Sequence, residues 1–188
     1  MQTLNLPGAD RPGSAGRALP HADLRVAADG EIELRGSLFL GYLGDARPVP
    51  DWWPSGDLGH IDNEGFVHIR GRKKNLLITG FGRNIAPEWV ETVLRGEPAI
   101  GQAVVYGEGM SALCAVLWPS RSDLDDAVLR AAVEAANAGL PDYARVGPWL
   151  RARVAFSPET GLATANGRPQ RRAIWQAHEA ALTSSLSH

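Results

Sequence analysis

Lysine is scarce in this sequence: Lys73 and Lys74 are adjacent, and the other 17 of the 19 basic residues are arginine. Cys114 is the only cysteine, which excludes an internal disulfide and is typical of a reducing compartment. The formal net charge is only -2, without a long run of like charge, so neither nucleic acid nor an anionic membrane is a predicted partner.

Long apolar runs are also missing, so we expect no membrane span. Proline and glycine interrupt the first twenty residues, where a signal peptide would need a continuous apolar stretch. We therefore expect a cytoplasmic location. Hydrophobic residues make up 44% and charged residues 21% of the chain, which predicts an ordinary globular core rather than disorder.

The first part of the chain has the pattern of short strands and tight turns. Apolar residues alternate on both sides of Asp29-Gly30, which predicts a hairpin. "LGHID" and "FVHIR" flank Asn63-Glu64-Gly65 and predict a second hairpin. "GYLGDARPVPDWWPSG", at 41–56, is too rich in glycine and proline to favour a regular element. We predict a small β-barrel-like or twisted sheet over residues 1–71.

After about residue 75 the periodicity changes to that of an α+β domain. Pro87 and Gly96 are typical of the start and end of one helix, and "QAVVY", "ALCAVL" and "RARVAF" predict three strands. A second helix is predicted from Ser122, with an apolar face formed by Leu124, Val128, Ala131 and Ala135. A last helix is predicted from Pro169, with Ile174, Ala177, His178 and Ala181 at helical spacing. We expect a three-stranded sheet with helices on one face over 75–188, and a boundary at 72–74.

Two stretches carry candidate chemistry, although each has a plain alternative. "SGDLGHID" places the carboxylate of Asp57 in a predicted turn, and "NGRPQRR" is an arginine-rich loop. Taken singly, a solvated turn and a solvated charge cluster explain them. The five histidines, at 21, 60, 68, 178 and 188, have no ligand spacing, so a zinc site is not predicted, and His60 with Asp62 is interpreted as a solvated pair.

The order of several motifs changes this interpretation. "GSAGRALP" (13–20), "GEIELRGSLFLGYLGD" (30–45), "WWPSGDLGHIDNEGFVHIRGRKKNLL" (52–77), "GFGRNIAPEWVE" (80–91) and "NGRPQRRAI" (166–174) together resemble the adenylate-forming superfamily. That superfamily includes acyl-CoA synthetases, firefly luciferase and the adenylation domains of peptide synthetases. Within it, "GFGRNIAPEWVE" looks most like long-chain fatty acyl-CoA ligases. The resemblance covers nearly the whole chain.

The resemblance also implies that a large part of such an enzyme is missing here. Family members begin with several hundred residues that hold a phosphate-binding loop, the acyl pocket and a glutamate that binds magnesium. None of these motifs occurs in this sequence. The resemblance therefore implies the carboxy-terminal part of an ATP-dependent acid-CoA ligase, inactive alone, whose large N-terminal adenylating domain lies on the same or a separate chain. ATP or AMP, CoA and a fatty acid are the implied ligands, with Mg bound outside this chain. The alternative is a non-catalytic or vestigial AMP-binding lid that docks on a separate large domain.

The resemblance assigns roles to residues of the first part and the boundary. Asp57, after Ser55 in place of the usual threonine, would accept hydrogen bonds from both ribose hydroxyls of ATP, a task that suits a carboxylate. Arg72 would reach the ribose and phosphates. Lys74 would be the hinge about which the lid swings between an adenylating and a thioester-forming pose. The alternatives are a turn aspartate that caps local amides, a surface arginine and two lysines adjacent by chance.

Two further roles fall in the lid. Gly82, in "GFGRNIAP", would let the backbone approach the pantetheine arm of CoA, although it could equally shape a turn before a helix. Arg168 follows Asn-Gly at the position where the family usually has the lysine that bridges the carboxylate substrate and the α-phosphate. This is the main departure from the family pattern, because a planar guanidinium does not reproduce the geometry of an ammonium. We therefore expect slowed adenylation.

Overall fold

The computed structural model describes residues 2–36 and 48–186, and the side chains of these residues up to 182. The second half of the 30–45 motif and His188 therefore lie outside the described residues. The chain divides into two compact units, Met1–Asn75 and Leu76–His188. The described part of the first unit is built from short strands and the second unit combines strands with helices, so the α+β prediction is confirmed.

The described elements follow one another in a simple order. In the first unit the strands are β1 (Thr3–Leu4), β2 (Arg17–Ala18), β3 (Ala22–Val26), β4 (Glu31–Gly36), β5 (Trp53–Ile61) and β6 (Val67–Arg72). A 3-10 turn, Lys73–Asn75, ends this unit. In the second unit the strands and α-helices are β7 (Leu77–Ile78), β8 (Asn84–Ile85), α1 (Pro87–Arg95), β9 (Ile100–Tyr106), β10 (Leu113–Pro119), α2 (Asp126–Ala138), β11 (Val146–Arg151) and α3 (Arg171–Leu186).

The main sheet of the first unit is an antiparallel meander in the order β3-β4-β5-β6. Both predicted hairpins are present, as β3 with β4 and β5 with β6. The prediction of an irregular 41–56 segment is wrong from Trp53 onward, since β5 begins there and Trp53 pairs with Leu34. Pro54 and Gly56 hide this strand in the sequence, and the register between β4 and β5 shifts next to them.

The main sheet of the second unit has the order β11-β10-β9, with β9 antiparallel and β11 parallel to the central strand. The first two predicted strands are confirmed. The third was predicted at 151–156, whereas β11 is Val146–Arg151. Gly147 and Pro148 are typical of loops, so the sequence did not indicate this strand. β11 lies at an edge of the sheet, where a proline is tolerated because one side of the strand needs no ladder hydrogen bonds.

Helices cover both faces of this sheet, so the expectation of helices on one face is wrong. Successive strand residues point to opposite faces. Val105 and Leu117 pack in one core with α1 and α2, whereas Val104 and Val116 pack in the other with α3. Burial on both faces explains why β10 has a nearly continuous apolar sequence.

The predicted helices exist, but two of them present different residues to the core. α1 begins at Pro87 and is followed by Gly96, as predicted. α2 begins at Asp126 rather than near Ser122, and its buried residues are Leu129, Ala132, Val133 and Ala136. In α3 the core receives Ile174, His178 and Leu182, while Ala177 and Ala181 are exposed.

The start of α2 depends on an exposed side chain, and this allows a test. The Asp125 carboxylate accepts a hydrogen bond from the backbone N–H of Ala127 at 2.7 Å. We expect Asp125→Ala to lower the free energy of unfolding by about 1 kcal/mol, the usual cost of losing an N-cap. Urea denaturation measures this, with Glu134→Ala on the exposed face of the same helix as the control. Equal stability of the two variants would contradict the capping role.

Candidate functional site

Asp57 and Arg72 lie side by side in the first unit. They are register partners on β5 and β6, and Arg72 Nε lies 2.8 Å from Asp57 Oδ1. The aspartate side chain is 26% exposed and the arginine side chain 49% exposed, so both can be reached from solvent. Asp57 therefore belongs to a strand and an ion pair, rather than to a turn that it caps. Within the described residues, Oδ2 of Asp57 has no hydrogen-bond partner and is available to a ligand donor.

The backbone before Asp57 is held by two other side chains. The Ser55 hydroxyl donates to the carbonyl of Ile32 at 2.6 Å and accepts from the N–H of Asp57 at 3.0 Å. The buried Glu31 carboxylate accepts from the N–H of Gly56 at 2.8 Å. The serine thus retains a hydroxyl function at this position, and the Asp57 carboxylate projects from a fixed segment.

The two lysines have different surroundings. Lys73 Nζ lies 2.6 Å from Asp29 Oδ2 and 2.7 Å from Glu31 Oε2. The hydrogen bonds to Asp29 and then to Glu31 raise the pKa of Lys73 above its usual value. Lys74 is exposed and has no ion pair within the described part of its unit. Of the two lysines, Lys73 is therefore held by carboxylates of the first unit, whereas Lys74 makes no ion pair with the described ones.

Gly82 occupies the turn between β7 and β8. Its φ is +72°, a conformation that favours glycine, and its N–H donates to the carbonyl of Thr79 at 2.8 Å. A Cβ added at this position would meet no atom within 4 Å. Within the second unit, the turn geometry alone therefore accounts for the glycine. The neighbouring Phe81 is 77% exposed.

A groove of about 360 Å³ lies beside this turn, and sequence analysis missed it. Its lining includes Phe81, Arg83, Tyr143 and Arg145. The Arg83 guanidinium lies 5.7 Å from the centre of the Tyr143 ring, and Arg145 pairs with Asp142 at 2.7 Å. Exposed aromatic rings beside guanidinium groups can stack a planar base and bind phosphate.

Arg168 lies on a second tight turn. The N–H of Thr164 donates to the carbonyl of Arg168 at 2.8 Å, and the Thr164 hydroxyl accepts from the N–H of Arg168 at 3.2 Å. Gly167 has a φ of +74°, which fits the Asn-Gly sequence of this turn. The Arg168 side chain is exposed and makes no ion pair with the described residues. It is therefore free to meet an anion.

The Gly82 and Arg168 turns are attached to opposite faces of the β11-β10-β9 sheet. β7 and β8 contribute Leu77 and Ile85 to the core shared with α1 and α2. The segment before the Arg168 turn contributes Leu162 to the core shared with α3. The structure thus brings Asp57 and Arg72 together, whereas it keeps Gly82 and Arg168 apart.

A buried ion pair was also missed by sequence analysis. Glu91 of α1 is 8% exposed, and its Oε1 lies 2.7 Å from Arg171 NH2 at the start of α3. Burial raises the pKa of Glu91 to about 7, although the charge of Arg171 and the N–H of Val105 act in the opposite direction. The residues that meet here are up to 80 positions apart in the sequence, so no local pattern signals the contact.

The interpretation of His60 and Asp62 as a solvated pair is wrong. Asp62 Oδ2 lies 3.1 Å from His68 Nε2 and 2.7 Å from Arg11 NH1. His60 stacks on His68, its cross-strand partner, with the ring centres 4.8 Å apart.

Among residues 2–36 and 48–186, no group of three or more His, Cys, Asp or Glu could hold a metal ion. No helix in the same residues is long and apolar enough to cross a bilayer.

Comparison with known proteins extends these observations. Residues 74–185 match the family model of the AMP-binding enzyme C-terminal domain. The long-chain-fatty-acid-CoA ligase FadD15 of Mycobacterium tuberculosis is 41% identical over 102 residues, which is 51% of this chain and 17% of that protein. The 2-succinylbenzoate-CoA ligase of Listeria innocua is 36% identical over 116 residues, 57% of this chain and 25% of that protein.

A solved structure matches over a larger share of the chain. The crystal structure of ATP-bound MatB from Rhodopseudomonas palustris has 26% identity and a TM-score of 0.72, and the match covers 95% of this chain and 38% of that one. This chain therefore spans well under half the length of these relatives. Because the family model matches more than half of the chain, the protein belongs to the AMP-binding enzyme C-terminal domain family of the adenylate-forming superfamily.

Proposed function

We propose that this chain supplies the lid and the last β subdomain of an ATP-dependent acid-CoA ligase, which forms an acyl-adenylate and then a thioester. The observation that carries the proposal is the Asp57 and Arg72 pair, 2.8 Å apart and accessible to solvent, on the neighbouring strands β5 and β6, the second of which ends shortly before the boundary between the units. A carboxylate with a free oxygen suits ribose hydroxyls, and the adjacent guanidinium suits phosphate.

The two half-reactions use two faces of the lid in this proposal. Arg168, on the face covered by α3, would bind the carboxylate substrate and the α-phosphate during adenylation. The Gly82 turn and its groove, on the opposite face, would receive the pantetheine and nucleotide parts of CoA. Lys74 would be the pivot at residues 72–74, because its neighbour Lys73 is fixed by two carboxylates. A pivot must absorb a large backbone change at an exposed position.

The remaining parts of the enzyme would come from a large N-terminal adenylating domain, on the same or a separate chain. That domain would provide the phosphate-binding loop, the acyl pocket and the magnesium ligand. The name of the FadD15 relative supports a fatty acid as the substrate. Without the large domain, the chain is expected to be catalytically inactive.

A second candidate is a non-catalytic lid that binds AMP weakly or docks on a separate large domain. The observation that favours it is Arg168, since the family usually has lysine at this position. The two candidates differ in one property: a catalytic lid restores turnover to a large domain, whereas a vestigial lid does not.

A fusion of the FadD15 large domain with this chain tests the proposal. We expect ATP-pyrophosphate exchange with a fatty acid from the fusion and none from the chain alone. Asp57→Asn should raise the KM for ATP by about 10- to 100-fold, the scale of losing hydrogen bonds to a charged group. Asp23→Asn is the control, because Asp23 is an exposed carboxylate that pairs with Arg35 on the same sheet. An inactive but folded fusion would favour the second candidate.

A further inference from the structure

Glu91 and Arg171 meet at the open edge of the lid sheet. Among the described strands β9 pairs on one side only, so the outward N–H and C=O groups of Val105 have no strand partner there. Glu91 Oε1 accepts from the N–H of Val105 at 2.8 Å, and Arg171 NH1 donates to its carbonyl at 2.9 Å. Together, the two side chains satisfy the N–H and the C=O that the strand ladder leaves unpaired at Val105, which is fully buried, so these groups would otherwise carry the free-energy cost of buried polar groups without partners.

The pair also joins elements from opposite faces of the sheet. Glu91 belongs to α1, which packs on one face, and Arg171 begins α3, which packs on the other. Their 2.7 Å contact passes around the edge of β9. α1 follows the Gly82 turn in the sequence, and α3 follows the Arg168 turn. A single ion pair therefore connects α1 and α3, the two helices that follow these turns.

The Arg168 turn is anchored directly at Arg171. The strand bridge between Ala163 and Pro169 closes the turn, and Gln170 donates its N–H to the carbonyl of Leu162 at 2.8 Å. The next residue is Arg171, whose own carbonyl accepts from the Tyr106 hydroxyl at 2.9 Å. Arg171 is thus two residues along the backbone from Pro169, at the base of the turn.

We propose that Glu91 and Arg171 are positioning residues for the Arg168 turn, and that protonation of Glu91 loosens the turn by removing the charge that holds Arg171. This inference rests on the proposed function only in giving the turn a catalytic task. Arg171 stays protonated at these pH values, so protonation of Glu91 removes the opposite charge 2.7 Å from the guanidinium and leaves a hydrogen bond to a neutral carboxyl, which holds the guanidinium less firmly than an ion pair does.

The charged and titratable groups that face Glu91 are few. Arg171 approaches from α3, Glu88 lies on α1 together with Glu91, and Tyr106 lies on β9. Burial has a larger effect on the pKa of Glu91 than any of these groups. The pKa of Glu91 is raised to about 7, and the pKa of Tyr106 is raised further above its usual value, mainly by burial. Of Glu91 and Tyr106, Glu91 is therefore the one whose pKa lies near neutral pH.

Hydrogen exchange of the whole chain, followed by NMR between about pH 5.5 and 8.5, tests the inference. The Gly167 N–H, which donates to Thr164, reports on the turn. After correction for the intrinsic pH dependence of exchange, we expect its protection to fall about tenfold as the pH drops through 7. In Glu91→Gln the protection should stay at the low-pH value throughout. Arg172→Lys, an exposed neighbour of Arg171, is the control and should behave as the unchanged chain.

Two outcomes would overturn the inference: a Gly167 amide whose protection is constant across the pH range, or a Glu91→Gln variant with unchanged protection and pH response. If Glu91→Gln does not fold, the side-chain carboxyl resonance of Glu91 in the unchanged chain replaces it. Its titration midpoint must then coincide with that of the Gly167 signal, and different midpoints would refute the coupling. Neither measurement uses ATP or CoA. An inactive FadD15 fusion whose turn still responds to pH would therefore refute the proposed function alone.

Discussion

Arg168→Lys is expected to accelerate acyl-adenylate formation by about 100-fold in the FadD15 fusion, the scale associated with one well-placed electrostatic donor. Arg168 is exposed on a tight turn and makes no ion pair with the described residues, so the change removes no contact that the structure shows within its unit. A lysine places a compact ammonium where the planar guanidinium spreads its charge over a fork. ATP-pyrophosphate exchange measures the rate of this step.

The same variant should affect the second half-reaction much less. With preformed acyl-adenylate and CoA, we expect a change smaller than about tenfold, because the proposed function assigns the thioester step to the opposite face of the sheet. Arg130→Lys, an exposed arginine on α2, is the matched control for the exchange of one cation for another. An unchanged or slower adenylation rate for Arg168→Lys would contradict the role given to this position.

The stability of the chain is expected to fall as the pH rises from about 5 to 7.5, and Glu91 is the cause. Because burial raises the pKa of Glu91 to about 7 from its ordinary 4.5, the folded state binds a proton more tightly than the unfolded state between these values. Raising the pH through this window therefore removes stability. The pKa difference corresponds to an upper bound of about 3 kcal/mol. Urea denaturation at several pH values measures the free energy of unfolding.

Glu91→Gln should flatten this pH dependence, since glutamine has no proton to lose. Glu134→Gln, on the exposed face of α2, should leave it unchanged. The window excludes pH values below about 5, where aspartates with lowered pKa values, such as Asp29 and Asp123, act with the opposite sign. A chain that becomes more stable as the pH rises to 7.5 would contradict the assignment to Glu91.

The sequence predicted elements best where a boundary residue has a specific conformational reason. Pro87 and Gly96 placed α1, since proline fits the first turn of a helix and glycine its end. The prediction of the buried face of α2 was wrong because this helix is rich in alanine. Ala131 and Ala132 are equally apolar neighbours, and only the packing against the sheet decides that Ala132 is buried. β11 was misplaced because Gly147 and Pro148 resemble a loop.

The residues of the candidate site were likewise predicted where a local pattern marks them and missed where no such pattern exists. The motif order predicted Asp57 and Arg72 as members of one site, and the hairpin that joins β5 and β6 makes them register partners. Lys73 was not recognised as a partner of Asp29, because 44 residues separate them and nothing local indicates the contact. The ion pair of Glu91 and Arg171 was not predicted for the same reason. Such contacts depend on how elements pack, which periodicity does not encode.

The parallel pairing of β11 has a consequence for synthesis of the protein. β10 is the central strand, yet one of its neighbours, β11, leaves the ribosome only after the whole of α2. During that interval a wholly apolar nascent strand has one unoccupied hydrogen-bonding edge, which is a template for pairing with another chain. A translation product that stops shortly before Val146 is therefore expected to aggregate, whereas a product that extends past Arg151 can complete the sheet.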